Sequence, residues 1–171
     1  MAIAADSVVS VTRGAFLPYL KSGLIEAEIN LLTASSELTA QGDGELAAGD
    51  VITVFSLPAG TLIIAAGIEV TTLVTGSTAL VLDLGTGDDD DQFLDGSDGT
   101  NPFDIGSSGS QKDVGTYSEP SASVTTTLAG MPKMLSAADT LDITVQGITG
   151  TLSAGVVRVW ALIADVDGLE G

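Results

Sequence analysis

Asp139-Thr140-Leu141-Asp142-Ile143-Thr144-Val145-Gln146 alternates without a break. Leu141, Ile143 and Val145 fall on one side, and Asp142, Thr144 and Gln146 on the other. A period of two sets alternate side chains on opposite faces of a half-buried strand. Residues 147–150, Gly-Ile-Thr-Gly, read as a turn. Residues 156–164 then form a strand that is apolar on both faces and so belongs in the middle of a sheet. Arg158 and Trp160 share one face of it. On this reading Trp160 is a core residue whose indole N–H needs a partner, and Arg158 pairs structurally with a carboxylate.

Upstream, Ile25, Ala27, Ile29 and Leu31 alternate with Glu26, Glu28 and Asn30. Leu24, Ala27, Glu28 and Leu31 also fit a helical spacing, but the alternation favours a strand. Residues 51–57 are an apolar run closed by the turn signal Pro58-Ala59-Gly60. Residues 61–74 read as a long strand in which Gly67 marks a bulge or bend. Gly76-Ser77 reads as a turn. Residues 78–84 make another strand, with Leu80, Leu82 and Leu84 on one face and Asp83 on the other. Residues 121–128 are a further strand, residues 41–50 are an acidic loop, and no stretch is a clear helix. The expected fold is all-β: an antiparallel, jelly-roll-like β-sandwich of about seven to eight strands. Residues 23–171 form one domain, residues 1–22 an N-terminal arm without strand periodicity, and residues 85–119 a long acidic loop excursion. Such a loop is unusual in a compact domain unless it is functional or ordered by contacts.

Composition narrows the function. The 171 residues include no His and no Cys, and 5 basic residues face 23 acidic ones, for a net charge of −18. There is no imidazole to move protons near neutrality and no thiolate nucleophile, so the chain is not expected to be an enzyme. A negative field of this size repels nucleic acid and anionic membranes. No segment approaches the roughly 18 continuous apolar residues of a membrane span, and residues 1–10 lack the basic start of a signal peptide. With aromatics at 4%, the core must be built mainly of aliphatic side chains.

Two stretches hold candidate contact residues. Asp88-Asp89-Asp90-Asp91 is followed by Asp95, Asp98 and Asp104. Its first reading is a solvated, self-repelling loop. The alternative is a Ca²⁺ site of Asp91, Asp95 and Asp98, since dense carboxylates suit a hard cation, although the ordered Asp-x-Asp-x-Asp-Gly spacing is not matched. No cofactor is expected. In the arm, Arg13 and Lys21 supply two of the five cations, and Phe16, Leu17, Tyr19 and Leu20 supply apolar anchors. Arg13, Phe16, Leu17, Tyr19 and Lys21 are the candidate partner-binding set; the competing reading is a tail packed on its own domain.

Three stretches carry a resemblance. Leu57-Pro58-Ala59-Gly60-Thr61 leads into Ile68-Glu69-Val70-Thr71-Thr72. Asp83-Leu84-Gly85-Thr86-Gly87 leads into Asp91-Gln92-Phe93-Leu94-Asp95-Gly96. Residues 136–145 lead into Val157-Arg158-Val159-Trp160-Ala161. Over residues 50–165 the chain resembles a loosely defined group of small acidic virion proteins of tailed bacteriophages. The resemblance brings no catalytic motif. It implies a capsid decoration, or cement, protein with a jelly-roll-like body, held to the major capsid protein on the outer surface of the head. A homo-oligomer, preferably a trimer, would match a local three-fold of the shell. Other classes remain open: a head-fibre or tail-associated receptor- or carbohydrate-binding β-module, which calls for exposed aromatics, and a surface-layer β-domain of a cell.

Overall fold

The computed structural model describes residues 2–3, 9–13, 22–41, 45–97, 103–118 and 132–166. Their elements, in chain order, are β1 (Ala2–Ile3), β2 (Val9–Arg13), β3 (Ser22–Asn30), α1 (Leu31–Gln41), β4 (Val51–Leu57), β5 (Thr61–Thr86), β6 (Asp89–Leu94), β7 (Lys133–Met134) and β8 (Asp139–Asp165). The all-β sandwich expected from the alternation is the architecture found.

Its organising unit is a ribbon of two very long strands. β5 has 26 residues and β8 has 27. They pair antiparallel from Thr61↔Asp165 to Thr86↔Leu141. Along its other edge β8 pairs first with β4, from Leu57↔Asp139 to Val51↔Thr144, and then with β3, from Asn30↔Val156 to Ser22↔Ala164. β2 extends the sheet beyond β3, and β1 joins β4 in the one parallel pairing among the described residues. β6 and β7 add to β5. One ribbon therefore threads two sheet halves.

Register explains the core. Ala27, Val159 and Ile68 sit opposite one another across three strands, as do Ile29, Val157 and Val70. In the other half Ile52, Ile143 and Leu84 align. All nine are buried, and both sets belong to one hydrophobic cluster. We expect Val159→Ala to cost about 2–3 kcal/mol through the cavity it leaves, while Leu73→Ala, at a position 45% exposed, changes stability by less than about 0.5 kcal/mol. Urea unfolding measures both, and equal midpoints would refute the assignment of Val159 to the core.

Several local expectations change. The turns expected at Gly76-Ser77 and at residues 147–150 do not reverse the chain. Both strands continue through them, and the ribbon bends instead, with repeated register shifts between Val70 and Leu82. Gly76 (φ +86°) and Gly150 (φ +94°) sit in that bend. A Cβ on Gly76 would lie 2.1 Å from the Thr151 carbonyl oxygen, so this position needs glycine for both its dihedral and its space.

The chain also contains a helix that alternation did not announce. α1 begins directly after β3, with Asn30 as its N-cap: the Thr33 N–H donates to Asn30 Oδ1 at 3.1 Å. Leu31, Ala34 and Leu38 are buried on one stripe. Its Thr and Ser residues are weak helix formers, so tertiary packing secures it. The strand preferred for residues 24–30 is present as β3. Residues 9–13 form strand β2 rather than irregular arm, and residues 89–94 form strand β6 rather than loop. The strand expected at 121–128 lies outside the described residues.

Candidate functional site

The acidic run sits on a hairpin. β5 turns through Gly87 and Asp88 into β6, and Thr86 pairs with Asp89. The Gly87 N–H donates to Asp139 Oδ1 at 3.2 Å. Asp89, Asp90 and Asp91 are all exposed, with carboxylate oxygens within 4.8 Å of one another. The hydrogen bond with Asp89 is the main reason that the Asp91 carboxyl is pushed up to about 6; desolvation and the charges of Asp89, Asp95 and Asp83 add to it. A like charge this close disfavours ionisation of the Asp91 carboxyl. Asp95 accepts from the Ser97 N–H at 3.0 Å and the Ser97 hydroxyl at 2.8 Å, a local turn. Asp98 lies outside the described residues. Of the sequence candidates for Ca²⁺, the structure thus groups Asp91 with Asp89 and Asp90, and engages Asp95 in a turn of its own.

Two further acids are buried. Asp83 is fully buried; Oδ1 accepts from the Gly96 N–H at 2.8 Å and Oδ2 from Gln146 Nε2. Desolvation raises its carboxyl to about 6 against the lowering effect of these two bonds, with the charges of Asp95 and Asp90 adding to the rise. Asp142, opposite Gly85, is 7% exposed. Thr140 Oγ1 donates to its Oδ2 at 2.7 Å, while among the described residues Oδ1 has no donor in hydrogen-bonding geometry. Burial raises this carboxyl too. Alternation correctly put both acids off the core face. It gave no sign that their own face is covered. The available signal was glycine: a Cβ on Gly96 would lie 2.1 Å from the Leu82 carbonyl oxygen, so the chain after β6 lies directly against β5 beside Asp83.

The excursion is ordered along much of its length by the edge of β5. Ile105 N donates to Leu80 O, Ser107 N to Ser77 O, Gly115 N to Val70 O and Ser118 N to Ile68 O, at 2.7–3.0 Å, and Val70 N donates back to Thr116 O at 2.8 Å. Asp104 Oδ1 accepts from the Leu80 and Gly106 N–H groups. Covering an edge in this way removes a template for unwanted strand pairing. Between this cover and the ribbon is an open recess of about 370 Å³ lined by Val81, Ser97, Asp104, Ser108, Gln146 and Gly147 among others. No aromatic side chain lines it among the described residues.

The outer face of the other sheet half is mixed. Arg158 lies between Glu28 and Glu69. Its Nε donates to Glu69 Oε2 at 3.0 Å and its Nη2 reaches the same oxygen, the pairing with a carboxylate foreseen from sequence. At a partly exposed position such a pair contributes about 0–1 kcal/mol. Trp160 is not in the core. It is half-buried on this outer face, where its ring lies over Gly67; a Cβ there would meet the indole at 2.7 Å. Beyond it Leu24, Ile64, Met134 and Leu162 are exposed.

Of the arm residues, Arg13 is in β2, opposite Ile25. Phe16, Leu17, Tyr19, Leu20 and Lys21 lie outside the described residues.

No family description and no curated protein matches the chain. Among solved structures that share its fold are two from phage capsids. One is a chain of the capsid asymmetric unit of cyanophage Pam1, with TM-score 0.55, 15% identity, and 84% of each chain covered. The other is a chain of the capsid of Ralstonia phage GP4, with TM-score 0.56, 15% identity, and 96% of this chain and 98% of the other covered.

Proposed function

We propose that the protein is a structural component of a tailed-phage virion, a decoration or cement protein on the outer surface of the head that stabilises the shell by bridging major capsid subunits. The observation that carries this reading is the sharing of its fold, over most of both chains, with chains of two phage capsids. Charge supports the outer position. Packaged DNA is densely anionic, and a chain of −18 neutralises no phosphate. The lack of His and Cys supports a non-catalytic role. A homotrimer on a local three-fold would hold several weak contacts at once, so that each raises the effective concentration of the next.

In this reading residues 1–22 contribute to the shell contact through Arg13, Phe16, Leu17, Tyr19 and Lys21. Because β2 pairs with β3, the test keeps the full chain. Wild type should co-sediment with empty shells assembled from the major capsid protein of the same genome. A variant carrying Phe16→Ser, Tyr19→Ser and Lys21→Glu should bind at least about tenfold more weakly. No sedimentation of the wild type would reject the shell role. Undiminished binding by the variant would move the contact off the arm.

A further inference from the structure

We infer that the outer face of the sheet formed by β3, β8 and β5 is a docking surface, and that it fits a protein patch with an apolar centre and a rim of lysines and arginines. The backbone register builds the surface row by row. Leu24, Leu162 and Ala65 stand opposite one another on three adjacent strands. In the next row Ala164 and Leu62 lead to Met134 on β7. Ile64 is carried outward by the bulge between Ile63 and Ala65. Leu24, Ile64, Met134 and Leu162 are 37–46% exposed. At a strand spacing of about 4.8 Å these rows make an apolar strip on the order of 15 Å across. On a chain of −18, contiguous exposed apolar surface marks an interaction site rather than a solubility feature. Half-buried Trp160 adjoins the strip and supplies the kind of aromatic anchor that dominates interface energies.

The rim identifies the occupant. Moving along the same face away from the apolar rows, the next row holds Glu26 beside Trp160, and the row after it holds Glu28, Arg158 and Glu69. Arg158 is already engaged by Glu69. Lys133 stands opposite buried Ile63, so it alternates to the other face of the sheet from Met134. A second copy placed face to face would set acidic rim against acidic rim, with −18 on each chain, which like-charge repulsion disfavours. A partner with Lys and Arg around an apolar centre meets both features. β2 ends at Arg13, opposite Ile25, and β3 begins at Ser22, opposite Ala164.

The inference rests on the proposed shell role for its probe, empty shells of the major capsid protein from the same genome. Five full-length proteins are compared: wild type, Leu24→Glu/Leu162→Glu, the milder Leu162→Ser, the exposed control Leu73→Ser, and the rim variant Glu26→Lys/Glu28→Lys. The double variant should bind shells at least about tenfold more weakly and Leu162→Ser several-fold more weakly, with the control within about twofold of wild type. Glu26→Lys/Glu28→Lys should also weaken binding and flatten its dependence on salt. Shell binding by the double variant equal to wild type overturns the docking surface and leaves the shell role standing. Failure of wild type to bind overturns both. Two measurements on the isolated protein exclude other occupants. A fall in oligomeric mass caused by Leu162→Ser would assign the face to a second copy. A fall in melting temperature of more than about 10 °C from the same change would assign it to the protein's own chain. Either result overturns the inference.

Discussion

Gly76→Ala should destabilise the protein by about 3 kcal/mol, while Gly49→Ala costs about 1 kcal/mol. The two glycines have nearly the same backbone, with φ of +86° and +90°. A side chain pays the same dihedral penalty at either place. They differ in surroundings. Nothing lies within 4 Å of a Cβ on Gly49, whereas a Cβ on Gly76 meets the Thr151 carbonyl oxygen at 2.1 Å and the Ser153 nitrogen at 2.9 Å. Those atoms are backbone of the partner strand and cannot swing aside as a side chain can. The ribbon must open at its bend to admit the methyl group. Chemical unfolding of the two variants separates the terms: the Gly49 change reports the dihedral alone, and the difference reports the crossing of β5 and β8. Equal losses would mean that the bend is not tightly closed.

Stability should be greatest in mild acid and fall as pH rises, with buried Asp83 a main contributor. Its carboxyl titrates near 6 in the folded protein against an ordinary value of 3.8. Between those values the folded state holds a proton that the unfolded state has released, so raising pH favours unfolding. The contribution is complete below about pH 4 and lost as pH passes 6, and amounts to about 2–3 kcal/mol. Asp142 and Asp91 are shifted the same way. Asp83→Asn retains an acceptor for Gly96 and removes the buried charge. The variant should therefore melt well above wild type at pH 8 and at the same temperature as wild type near pH 4. A gap between them that does not change with pH would show that Asp83 is charged throughout.

The residues that made the fold legible were those whose two faces differ in polarity. The alternation around Ile143 and around Ala27 identified strands and their inner faces because burial on one side imposes a period of two. Three kinds of feature were not legible. Strand continuity was hidden because glycines that kink a paired ribbon look, in sequence, like glycines that end a strand. α1 was hidden because Thr33, Ser35, Ser36 and Thr39 interrupt its better helix formers and a capping Asn30 follows a strand directly. The cover over Asp83 depends on contacts between residues far apart in the chain, which no local pattern encodes. Among candidate sites, the acidic run was obvious in sequence and its grouping of Asp89 with Asp91 was not. The apolar rows around Leu162 were invisible, because Leu24, Ile64, Met134 and Leu162 come together only through register across four strands.

The threading of both sheet halves by one ribbon has a mechanical consequence. A load applied to one half and resisted at the other passes through the covalent backbones of β5 and β8, not through a linker or a packed seam. The ladder between these antiparallel strands lies along the direction of pull, so its hydrogen bonds resist sliding together instead of parting one by one. Neither half can peel away while the other holds, and the two should yield as a single cooperative unit. Such a body transmits tension between distant points of attachment with little extension.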